Sequence, residues 1–167
     1  MSGLVPWLLF LHVLAAIAGL GPTFAFPIIG GMGGREPRFG NFATRVSERV
    51  SDRLVEPLVI SMPVTGLLMI WAAGINAFSK DYRWLLLAII LYVIDLSIAL
   101  FPQRAAVKRV VALTGGPTGA PPDAPPPAGP PPGLPEAVAA VQRNGMILTV
   151  ILLAIIFLMV VKPSLGF

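Results

Sequence analysis

Two ionisable side chains, His12 and Asp95, lie well inside long apolar stretches of this 167-residue chain. A neutral imidazole can hold a metal or a haem iron, or pass a proton. An unpaired carboxylate at such a depth costs ~2.5 kcal/mol or more, so Asp95 has to be neutral, paired or hydrated. His12 sits about eight residues, roughly 12 Å of helix, below one end of its apolar run. Its helical face carries Ala15, Ala16, Gly19 and Thr23. Small residues at that spacing admit a second helix or a flat cofactor close to the backbone. Two readings stand for His12: a cofactor ligand, or a buried imidazole bonded to a neighbouring helix.

Asp95 shares a face with Ala88, Tyr92 and Ala99 near the middle of its run. It is either a proton relay or partner that orients His12, or a structural group bonded across helices, with Tyr92 the nearest candidate. A third face carries Met62, Thr65, Gly66 and Met69. Met69 falls near the level of His12, and His with Met is an axial pair of haem iron. Methionine is also an ordinary gap-filler in cores. Glu56, just before Pro57, has Arg53 within reach.

Little else in the chain carries chemistry. There is no cysteine, which excludes disulfides, thiolate metal sites and Cys nucleophiles. One histidine cannot form a multi-His metal site within one chain. No phosphate loop, nucleophile elbow or HExxH motif occurs. No residue set reads as a catalytic constellation. The net charge of +4 comes from 12 basic and 8 acidic residues scattered over short segments, which reflects topology and not nucleic-acid binding.

The elements that position these residues are apolar helices. The chain is 56% hydrophobic and 12% charged, against roughly 25% charged in soluble domains. Crossing a ~30 Å hydrocarbon core takes about 20 apolar residues in a helix. Four spans fit, at about residues 4–29, 58–78, 84–101 and 145–161. The first has no basic residue before it and is too long for a signal peptide, so it reads as a retained helix. Pro22 and Pro27 are expected to kink or end it, and Gly30-Gly31-Met32-Gly33-Gly34 to break the helix. Pro102 should stop the third span. Residues 37–56 repeat Phe42, Val46, Val50 and Leu54 among charges, an amphipathic helix lying on the membrane or extending span two. Tyr82 and Trp84 look like an interfacial anchor, and Gln142-Arg143-Asn144 marks the start of span four. Residues 115–135 hold ten prolines and five glycines, a composition that reads as a disordered linker.

Nine bases flank the loops after spans one and three, and three lie on the other side. The excess of positive charge predicts those loops in the cytoplasm and both termini outside.

The stretch Leu9-Phe10-Leu11-His12-Val13-Leu14-Ala15-Ala16-Ile17-Ala18-Gly19-Leu20-Gly21 resembles the first helix of a bacterial family of predicted four-span integral membrane proteins of unknown function. The arginine-bearing stretch after span one, Thr65-Gly66-Leu67-Leu68 and the Trp-started third span resemble it as well. More distantly, span one is similar to the histidine-bearing helix of copper-resistance D proteins and HemJ-type membrane oxidases. In the latter the histidine is thought to ligate haem, which the resemblance carries to His12. Gly19 stands where an aromatic is expected, and Ile28 where an arginine is.

The expected architecture is all-α: one membrane domain, a four-helix transmembrane bundle with an amphipathic cytoplasmic helix and a disordered Pro-rich loop, in a bacterial inner membrane. Three functions compete. The first is an accessory or assembly subunit packing against other membrane subunits or a second copy. The second is a haem-b-binding redox protein using His12 with Met69. The third is a small transporter or proton-conducting protein using Asp95.

Overall fold

The computed structural model describes residues 3–115 and 129–163. The chain forms four long helices: α1 (Val5–Arg35), α2 (Phe39–Ala73), α3 (Lys80–Thr114) and α4 (Leu134–Val161). Each is long and apolar enough to cross a membrane, and no strand occurs among the described residues. The protein is therefore an all-α, multi-pass integral membrane protein. Residues 116–128, most of the expected linker, lie outside the described residues.

The helices run through several expected breaks. Pro22 sits in a 3-10 turn, Gly21–Ala25, and helix resumes through Pro27 to Arg35. The glycine run is thus helical, contrary to expectation. Its cause is tertiary. A Cβ on Gly33 would lie 3.1 Å from the Ala43 Cβ and 3.2 Å from the Gly40 Cα. Glycine allows the end of α1 to pack backbone-to-backbone on the start of α2. Pro63 lies inside regular helix. Pro102 does not stop α3 either. It falls in a π turn, Ala99–Gln103, and helix continues to Thr114. A wider turn relieves the clash and the missing donor that proline brings to an α-helix. The fourth helix starts at Leu134, with Gly133 at φ 82° before it and Pro135 in its first turn. Asn144 is therefore a buried mid-helix residue and not an entry anchor.

The segment after Arg35 extends α2 and does not lie apart as a surface helix. Phe42 and Leu54 of its apolar stripe are exposed. Its small and polar side does the packing, through Gly40 and Ala43 and through Asn41, which donates to Thr114 Oγ1 at 3.0 Å. At its other end α2 stops at Ala73, not Phe78. Gly74 adopts φ 65°, and Ile75 N–H bonds the Ile70 carbonyl while Gly74 N–H bonds that of Trp71. This is a Schellman termination.

The helices pair as two antiparallel hairpins. In the first, Gly33 meets Gly40, Gly19 meets Leu58 and Val59, and His12 meets Thr65. In the second, Lys162 Nζ stands 5.6 Å over the Trp84 ring, and α3 packs along α4, burying Leu85, Ala88, Leu152, Ile155 and Leu158. The two hairpins join mainly toward the end that holds Arg35 and Thr114. Only 11 to 22% of each apolar window is buried, so most of the apolar surface is left for lipid.

Gly33→Leu should separate the α1 and α2 ends and cost about 1–3 kcal/mol of stability. Gly34→Ala, where a Cβ meets nothing within 4 Å, should be neutral or slightly stabilising. Thermal unfolding in detergent reads both. Equal melting temperatures for the two variants would show that the glycine contact does not hold the hairpin.

Candidate functional site

The sequence-picked residues fall into two separate places. His12 belongs to the α1–α2 interface. Its Nδ1 lies 2.8 Å from Thr65 Oγ1. Thr65 Oγ1 in turn donates to the Met62 carbonyl at 3.0 Å, with the Ser61 carbonyl at 3.4 Å. The Met62 carbonyl also bonds the imidazole, so Thr65 and Met62 together hold the ring against α2. A ligating histidine likewise has one ring nitrogen hydrogen-bonded. The arrangement is equally a sound helix–helix contact.

Met69 is not brought to this ring. The pairings Gly19 with Leu58 and His12 with Thr65 set an antiparallel register that leaves Met69 about a turn beyond His12. A Cβ on Gly66 would lie 3.5 Å from His12 Cε1. The imidazole is pressed against α2, and no macrocycle fits between them. With Met69 about a turn away, the His12–Met69 axial pair does not fit this geometry.

Asp95 and Tyr92 lie on α3, nearer the Arg35 end. The Tyr92 hydroxyl donates to the Val59 carbonyl at 2.5 Å. It does not bond Asp95, whose Oδ1 is buried with no hydrogen-bond partner among the described residues. Nor does Asp95 orient His12, because Thr65 occupies that role.

The most connected polar group is one that sequence reasoning took only as a topology marker. Arg104 bonds Glu56 Oε2 at 3.3 Å through Nη1 and Asp52 Oδ1 at 3.5 Å through Nη2. Glu56 is thus paired across helices, not with Arg53. Asp52 lies in a second π turn, Ser51–Val55, level with the one in α3. Arg104 Nε and Gln103 Oε1 are buried there without partners among the described residues. A signal was available: two acids four apart on one helix, and a lone arginine just past an apolar run.

The described residues contain no group of three His, Asp or Glu side chains able to hold a metal. An apolar crevice of about 320 Å³ lies along α3 at Arg83, Leu86, Leu87 and Ile90, away from His12 and Asp95.

Arg104→Gln should destabilise the fold by about 1–3 kcal/mol, between exposed and buried ion-pair values, because Glu56 keeps a mostly buried charge. Adding Asp52→Asn and Glu56→Gln should restore part of that loss. Melting temperatures across this cycle measure the coupling, and strictly additive losses would mean that the three groups do not act together.

No curated protein and no solved structure matches this chain. A family model does match, over residues 6–120, which takes in α1, α2, α3 and both polar places just described. The chain belongs to the family described as predicted integral membrane protein (DUF2269).

Proposed function

We propose that this protein is an accessory or assembly subunit of a bacterial inner membrane, packing its helices against a larger membrane complex. The observation that carries this reading is the loose join between the hairpins. Their apolar spans barely touch away from the Arg104 end, and no large side chain among the described residues is fully buried. Meanwhile His12, Thr65, Tyr92 and Arg104 are spent on helix–helix contacts. In lipid, association rests on close packing and interhelical bonds. A helix of another subunit set between the hairpins would supply packing that this chain lacks alone. Extraction from native membranes in mild detergent tests the reading. The protein should migrate in a complex larger than its 17.6 kDa chain, with a membrane protein at fixed stoichiometry. A stable, monodisperse monomer would defeat it.

A second reading rests on the His12 imidazole, held at the hairpin interface by Thr65. Haem held there would supply one-electron chemistry. The purified protein should then show a Soret band, lost in His12→Ala and altered in Thr65→Val, which frees the ring to rotate. A colourless protein after expression with ample haem removes this reading.

The charge asymmetry supports termini outside and the Arg35 and Thr114 ends in the cytoplasm. An impermeant maleimide should label Ser79→Cys on intact cells, and Arg35→Cys only after permeabilisation. The reverse pattern inverts the orientation.

A further inference from the structure

We propose that a water-filled tract runs along α3 from the Arg104 ion pair to Asp95, giving that carboxyl contact with the solvent at the Arg35 end of the molecule. The tract is independent of the assembly role.

Three side-chain atoms among the described residues are buried without a hydrogen-bond partner: Asp95 Oδ1, Gln103 Oε1 and Arg104 Nε. All belong to α3, between Asp95 and Arg104, where residues 99–103 pack against α4. Tyr92, one turn before Asp95, reaches Val59 on α2, and Arg104 reaches Asp52 and Glu56 there. Asp95, Ala99 and Gln103 follow at intervals of four. Pro102, in the same π turn, has no backbone N–H to offer. Each such atom left unsatisfied costs roughly 1–3 kcal/mol, so three together demand a partner.

The chemistry of the three selects that partner. Two are acceptors and one, the Arg104 Nε–H, is a donor. Water donates and accepts, and serves all three. A metal cation would suit the two oxygens but would be repelled by the guanidinium. At its mouth the Arg104 and Asp52 side chains are 40% and 38% uncovered by protein. Gln103 to Asp95 is about 12 Å of helix, a distance bridged by about four hydrogen-bonded waters. Asp95 is the last ionisable carboxyl on this path. The first charge in α1 is Arg35, α2 has none between Glu56 and Gly74, and α4 none between Arg143 and Lys162. Tyr92, on its own helix, is the one titratable neighbour, and its hydroxyl is given to Val59.

Cysteine accessibility tests the tract cleanly because the chain has no native cysteine. A small water-soluble thiosulfonate reacts with thiolate, which forms only where water reaches. Ala99→Cys should be modified within about tenfold of the exposed Gln142→Cys, and Ile94→Cys, at similar depth on the apolar exposed side, about 100-fold more slowly. Ala99→Cys as inert as Ile94→Cys overturns the tract. Adding Asp95→Leu should slow modification of Ala99→Cys by about tenfold, by removing the water's anchor. An unchanged rate overturns Asp95 as its end. Should Ala99→Cys fail to purify as a folded species, amide exchange of the wild-type chain decides. Amides of residues 99–101, 103 and 104 should take up deuterium well before those of residues 85–92, and equal protection overturns the proposal.

Discussion

The Arg104 guanidinium joins the two halves of this molecule. Each hairpin packs along its own length, yet the hairpins meet mainly around the Arg104 level, where Asp52 and Glu56 share one cation. Hydrocarbon solvates no charge, so an ion at the edge of an apolar span persists only with partners in reach. The two opposed π turns belong to this arrangement. A π turn shifts the phase of the residues beyond it. Here the shift lies immediately before Arg104 on one helix and immediately before Glu56 on the other. Asn41 and Tyr92 then secure the same contact below and above the ion pair.

The four spans were legible because hydropathy sums over many residues and tolerates local error. What sequence misjudged was local. Gly30 to Gly34 and Pro102 carry low helix propensity, and propensity alone argues for breaks. Gly33 is helical because Gly40 and Ala43 need its missing Cβ, a fact stored on another helix. Pro102 is helical because a π turn receives it. The start of α4 was misplaced for the opposite reason. Residues 134–144 are too polar to read as span, yet they continue the same helix.

The site was legible as residues but not as partners. His12, Thr65 and Met69 were all singled out, and Thr65 and Met69 share a face, so periodicity could not choose between them. The choice depends on the register of α1 on α2, which Gly19 and Gly33 fix by close approach. With that register Thr65 is at the ring and Met69 about a turn away. The Thr65 hydroxyl and the Met62 carbonyl then hold the ring.

The separation of the two polar places constrains every mechanism this chain could serve. On α2, Thr65 marks the level of His12, and Glu56 marks the ion pair. Between them lie Val59 and Met62, both buried and apolar. On α3, Ala88 is fully buried above Tyr92, and Tyr92 spends its hydroxyl on the Val59 carbonyl. A proton leaving Asp95 toward His12 would meet apolar side chains and a committed hydroxyl, with no chain of polar groups to carry it. The two polar places are thus separated by packed apolar side chains, and each is held by its own helix–helix contacts.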